Sequence, residues 1–284
     1  MLGIALSFAA ALSGQESVKS RKYQFKFGYE ERGVIATSAE RSFFWRVEFR
    51  SGKGKWEDYF SRKELFKYQD LILAIKKNRL QAVQRYYHSY IQHKKDLSSN
   101  KIEKGIHPLS GKTLRIEKKG HRDIVTLLAG GKLPAPALKV PHLDDELSIL
   151  ANNLPRKPVK LGATWSLPSK ELKSFLGDDF KSDIQGSIQC KLEKEVFFRG
   201  YKCAKILVMI KTKGVHAMGP QVQYNANGHF YYSLKYGIPI YLEIKGKLTL
   251  QLTQRAGKLK ITMHGEGPFS IRYIRDYLPP KSEE

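Results

Sequence analysis

The chain has 284 residues, 41% of them apolar, and carries 50 Lys and Arg against 27 Asp and Glu, a formal net charge of +23. That apolar content is ordinary for a globular chain, so disorder is not the default, and the length allows one large or two modest domains. The charge favours polyanions such as nucleic acid, anionic lipid headgroups or acidic envelope polymers. The cations are nevertheless spread from Lys19 to Lys281 and cluster only in pairs such as Lys76-Lys77, Lys94-Lys95 and Lys118-Lys119. Dispersed charge of this kind describes a solvated surface better than a nucleic-acid patch.

Residues 2–13 carry no charge and end in small residues, which predicts a secretory signal over 1–13 and a periplasmic or extracellular location. No Lys or Arg precedes the apolar run, which leaves an upstream start open. No later run of about 18 apolar residues exists, so no transmembrane segment is expected in the mature chain. Nucleic acid is then in the wrong compartment.

From residue 18 to 132 the pattern is that of strands. Tyr23, Phe25, Phe27 and Tyr29 share one parity, as do Phe43, Trp45, Val47 and Phe49. Residues 70–95 fit either a helix or a hairpin turning at Lys77-Asn78, with Leu71, Leu73 and Ile75 on its first strand. Their β-branched and aromatic content favours the hairpin. Two further strands turn at Lys119-Gly120 and exit at Gly130-Gly131.

Composition changes over 133–185, which is Pro-rich at its edges. Asp144, Asp145 and Glu146 open a short helical pattern near 143–153, where acids suit the positive helix end. Ser169 opens a second near 169–176, ending at Gly177. The C-terminal β portion, 186–276, begins with a hairpin at Arg199-Gly200, and residues 277–284 read as a tail. That hairpin sets Cys203 opposite Val196 and leaves Cys190 about 20 Å further along, beyond disulfide reach. Two free thiols are expected.

The longest alternation runs from Gly237 to Thr253. Ile238, Ile240, Leu242, Ile244, Leu248, Leu250 and Leu252 share a parity in which Gly246 takes one slot. Facing Leu252 with Leu259 across a turn at Arg255–Gly257 sets Gly246 opposite Gly265, and facing Leu234 with Ile238 sets Gly228 opposite Ile244. Glycines on one face of three successive strands let the sheet bend. The expected fold is mainly β, a long curved antiparallel sheet forming a half-barrel or open barrel, with two short helices in the central segment. Its concave face would present Phe230, Tyr232, Ile244, Gly246, Leu248, Met263 and Gly265.

Pro158, Val159, Gly162 and Trp165, with Gly237, Pro239 and the stretch LSGKTLRIEKK, resemble an uncharacterised family of secreted, β-rich bacterial proteins sharing a Pro-Val-x-x-Gly-x-x-Trp segment. The likeness spans roughly 70–275. It implies a cell-envelope location and a sheet-dominated fold, and carries no catalytic residue. In shape the expected sheet is similar to periplasmic lipoprotein carriers, which hold acyl chains in a half-barrel. Trp165 itself reads as a core anchor.

No nucleophile elbow, zinc-protease helix, phosphate loop or dinucleotide fingerprint occurs. His142 with Asp144 and Asp145 could imitate a metal half-site, but helix capping explains the acids. No catalytic residue, metal or cofactor is expected. The favoured function is non-catalytic binding of a lipid or amphipathic ligand, with anionic envelope polymers as possible partners of the basic surface. An envelope interaction module using aromatics such as Tyr86, Tyr87 and Tyr90, and a hydrolase of distant residues, are the alternatives.

Overall fold

A computed structural model describes residues 21–52, 54–96, 101–120, 122–139, 141–176, 184–216, 219–256 and 259–281. The predicted signal at 1–13 and the helix stop at Gly177 lie outside the described residues. The chain is built almost wholly of antiparallel strands. A short β1 (Lys22–Tyr23) is followed by β2 (Val34–Ser51), β3 (Gly54–Lys76), β4 (Arg79–Asp96), β5 (Lys101–Ile106), β6 (Thr113–Lys119) and β7 (Arg122–Ala129). The central segment holds a 3-10 turn at Ala135–Lys139, helix α1 (Glu146–Asn152), β8 (Val159–Lys160), β9 (Thr164–Ser166) and helix α2 (Ser169–Leu176). Then come β10 (Gln185–Phe198), β11 (Tyr201–Val215), β12 (Gln221–Ser233), β13 (Ile238–Ala256) and β14 (Leu259–Leu278).

Twelve strands form one sheet in the order β7-β6-β4-β3-β2-β14-β13-β12-β11-β10-β9, with β5 pairing β4 at the side. The sheet is curved and does not close into a barrel. The two β portions are therefore one sheet, joined where β2 pairs β14 from Val34↔Leu278 to Arg50↔Thr262. The β14 strand carries Tyr277 into the core as well, so part of the expected tail belongs to the sheet.

Local chemistry explains the hairpins. Lys77 and Asn78 both have positive φ (52° and 58°), as do Arg199 and Gly200 (50° and 82°), the conformation that two-residue hairpin turns demand. The ambiguous 70–95 stretch is thus a hairpin. Its fully buried residue near the turn is Ile72 rather than Leu71, Leu73 or Ile75, and bulges at Ile72/Ala74 and Ala74/Ile75 adjust the register there. Val196 pairs Cys203 and Cys190 pairs Val208, and both thiols are free and buried. Burial pushes the Cys190 thiol up to about 12.

One register differs from expectation. β13 and β14 pair Ala256 with Leu259 and Leu252 with Met263, so Gly246 faces Phe269 and Gly265 faces Leu250. The turn is tighter than the one assumed between Leu252 and Leu259, and the ladder shifts by four residues. An even shift keeps every side chain on its face. The pairing of Gly228 with Ile244 is as expected, and Ala226 faces Gly246. The inward glycines consequently descend in a diagonal, from Gly228 on β12 to Gly246 on β13 to Gly267 on β14, the last opposite Leu248.

Along this diagonal the backbones approach closely. A Cβ added at Gly246 would lie 2.4 Å from the Asn225 carbonyl oxygen, at Gly228 1.9 Å from that of Glu243, and at Gly267 1.7 Å from that of Phe44. The β2–β14 ladder also skips Gly267 and Pro268, where the proline has no N–H to give. We call this line the crease.

Candidate ligand-binding face

The inner face of the sheet is the one that receives α1. On that side of the crease it is filled by the protein itself. Leu147, Ile149 and Leu150 of α1 and Leu172 and Phe175 of α2 join one cluster with Phe230, Tyr232, Ile240, Leu242, Ile244 and Tyr273. Each fully buried side chain of this size contributes about 1.5–3 kcal/mol.

A polar layer fixes α1 to the strands. The Asp145 side chain caps the helix by accepting from the Ser148 N–H at 2.9 Å, as the acid-rich start predicts. The same carboxylate also accepts from the Arg275 guanidinium of β14 at 2.5 Å and from the Tyr68 hydroxyl of β3 at 3.0 Å. Next along the helix, Glu146 accepts from Arg41 of β2 at 2.8 Å and from the Tyr273 hydroxyl at 2.6 Å. Behind these, Arg85 and Asp70 form a two-pronged pair at 2.6 and 2.8 Å, both almost fully buried. Arg85 Nη1 also donates to the His142 carbonyl.

Burial alone would raise the Asp145 carboxyl, but Arg275, the Ser148 N–H and Arg85 overcome it and hold it below the usual carboxylate range. Burial pushes the Tyr29 hydroxyl, 3.2 Å from Arg275, up to about 12. Every charge here has an opposite partner, so the layer is a latch for the helix. Among the described residues no group of three or more His, Cys, Asp or Glu could hold a metal ion, and Asp144 instead receives Lys118 and Asn152.

Beyond the crease the same face is open. Trp56 and Phe60 of β3 are 49% and 46% exposed, although the inner parity of their strand otherwise buries Glu64, Phe66 and Tyr68. Trp56 stacks on Phe49 with ring centres 5.2 Å apart, and Phe60 pairs across from Trp45. Leu250, Leu252 and Met263 are only partly buried. At the crease a cavity of about 360 Å³ includes Phe43, Gly246 and Phe269 in its lining, the two rings stacked 6.4 Å apart. Next to Phe60 on the inner parity stands Arg62, which faces Lys94 across the ladder.

The sequence-predicted site residues therefore divide. Phe230, Tyr232 and Ile244 are core, 1%, 4% and 0% exposed, and the Tyr232 hydroxyl shares its one proton between the main-chain carbonyls of Lys26 and Gly237. These three are not an accessible lining, because α1 and segment 24–28 occupy the space above them. Leu248 and Gly265 are buried at the edge of the open part, Gly246 lines the crease cavity, and Met263 lies beyond it. Sequence reasoning missed Trp56 and Phe60, whose even parity on β3 shares a face with Phe66 and Tyr68 and could have revealed them. Of the three tyrosines proposed as contact residues, Tyr87 and Tyr90 are buried and Tyr86 is exposed. Trp165 is half-buried on β9, its ring 6.3 Å from Phe25.

No family model matches the chain, and no curated protein matches it. Solved structures similar to the chain include two of note. One is lipovitellin, in a structure of its lipid–protein interactions, at 8% identity and TM-score 0.37, covering 91% of this chain and 26% of that one. The chain thus spans about a quarter of the lipovitellin chain. The other is a DUF1329 family protein from Desulfovibrio piger, at 8% identity and TM-score 0.14, covering 96% of this chain and 91% of that one. At these scores neither likeness carries an argument. No helix among the described residues is long and apolar enough to cross a membrane, which leaves membrane-crossing strands unaddressed.

Proposed function

We propose that the protein is an exported, non-catalytic envelope protein that binds a hydrophobic or amphipathic ligand on the open part of its inner face. The observation that carries this reading is the half-exposed pair Trp56 and Phe60 on a face that is elsewhere filled. An apolar chain laid from the crease across Trp45, Phe60 and Trp56 would cover surface that the helices leave bare, and burying such surface stabilises a complex at about 25 cal/mol per Å² before ordering costs. Lys94, across the ladder from Arg62, supports an anionic headgroup at the rim of this surface, whereas Arg62 itself is already paired with Glu64 at 2.6 Å.

A second reading, a protein-interaction module, draws support from β5, whose residues are all exposed, with Ile102 and Ile106 at 65% and 77%. Native mass spectrometry of protein purified from its own source, followed by organic extraction, separates the two. A lipid or amphiphile bound near one-to-one supports the ligand reading and gives the ligand's class. A clean apo mass that added lipid leaves unchanged overturns it in favour of the interaction module.

A further inference from the structure

At the other end of β3 from Trp56, a cleft of about 630 Å³ opens between segment 24–29, the Lys77-Asn78 turn and the chain leaving α1. That volume lies in the range of small-molecule sites. Its apolar lining includes Phe25, Phe27, Leu80, Leu154 and Pro155. It also contains four cations, Lys26, Lys77, Arg79 and Arg156, none of which has an ion-pair partner among the described residues. This contrasts with Arg41, Arg85 and Arg275, each paired with a carboxylate. The one carboxylate in the lining, Asp144, is already engaged by Lys118 at 3.0 Å and Asn152 at 3.1 Å, so it neutralises none of the four.

One wall, segment 24–28, is fixed before any ligand arrives. Gly28 N–H donates to the Gly237 carbonyl at 2.9 Å, and the Tyr232 hydroxyl donates to the Lys26 carbonyl at 2.5 Å. A Cβ at Gly28 would lie 1.6 Å from the Tyr236 carbonyl oxygen, so the segment seats against that turn only with glycine. An apolar wall fixed in this way lowers the ordering cost of binding.

We propose that this cleft binds an amphipathic organic anion, with its carboxylate or phosphate held by Lys77, Arg79 and Arg156 and its apolar body by Phe25, Phe27 and Leu154. The site is separate from the open face around Trp56.

Isothermal titration calorimetry on the full chain tests it with decanoate and decyl phosphate as probes. Decyltrimethylammonium controls for the apolar body alone and inorganic phosphate for the headgroup alone. Decanoate or decyl phosphate is expected to bind at one-to-one stoichiometry, at least tenfold more tightly than either control. The double variant Arg79→Gln/Arg156→Gln should weaken binding at least tenfold, whereas Trp56→Ser/Phe60→Ser should leave it unchanged. Lys77→Gln, at an exposed turn position, gives an independent variant expected to weaken binding about threefold without touching the fold. The proposal is overturned if neither anion binds or if a control binds as tightly as they do. It is equally overturned if binding survives the Arg79, Arg156 and Lys77 changes but is lost with Trp56 and Phe60.

Discussion

The crease separates two stretches of one sheet face that solve the same problem differently. On the helix side, charged residues point inward (Arg41, Asp70, Arg85 and Arg275) and each is matched by a partner. On the other side the inner parity of β3 sets Trp56 and Phe60 around Asp58 and beside Arg62, and both rings are left half in water. The paired charges give the first stretch a unique way to seat α1, while the second has apolar surface that no element among the described residues covers. The difference teaches that curvature alone does not make a ligand site. What matters is how far the central segment reaches along the trough.

Breaking the latch should have the largest effect. Arg275→Met leaves the Asp145 carboxylate buried without its main counter-ion, a loss of about 3–5 kcal/mol, measured as a drop in the urea midpoint at unchanged slope. A variant as stable as the parent would mean that the latch contributes nothing. Gly246→Val attacks the boundary itself. Its side chain meets the Asn225 carbonyl and the Ala226 Cβ at under 3 Å, and overpacking of this kind costs about 1–3 kcal/mol, visible as a lower Tm.

The latch also predicts asymmetric pH dependence. Asp145 titrates below its ordinary value in the fold, so its contribution is present above the unfolded carboxylate pKa and is lost as pH falls through the lower folded value. Tyr29 shifts the other way. Its contribution is complete below an unfolded pKa of 10 and disappears as pH rises towards about 12. Denaturant titrations from pH 2 to 12 should show both limbs, and Tyr29→Phe should make the alkaline one shallower, the rest of it being kept by other tyrosines raised by burial such as Tyr68, Tyr90 and Tyr232. The smallest stability effect belongs to the open side: Trp56→Ser/Phe60→Ser should shift stability by no more than about 1 kcal/mol while abolishing amphiphile binding there. A large loss of stability would show that these rings are core after all.

Much of the architecture was legible because strands buried on one face alternate, and the turns at Lys77-Asn78 and Arg199-Gly200 carry residues that reach positive φ. The bend was legible from the glycines, but their alignment was not. Placing the β13–β14 turn four residues of register away preserved every face and changed every partner. The filled half escaped notice because nothing in residues 143–176 states which face of which strands they will cover. A signal was present all the same. Arg41, Asp70, Arg85 and Arg275 interrupt otherwise apolar parities, and a charge on a buried parity calls for an opposite charge from another element.

The junction of β2 with β14 also governs how the chain must assemble. Each remaining long ladder joins neighbours in sequence, so β2–β4 and β10–β14 can each zip as successive hairpins. Joining Val34 to Leu278 requires the two ends of the described chain to meet. Loop-closure entropy makes that seam the slow contact, and the latch straddles it: Arg41 from one array and Tyr273 and Arg275 from the other converge on two adjacent acids of α1. The helix is therefore a splint across a late-forming joint, and refolding followed by stopped-flow fluorescence should slow when Glu146 is changed to Gln.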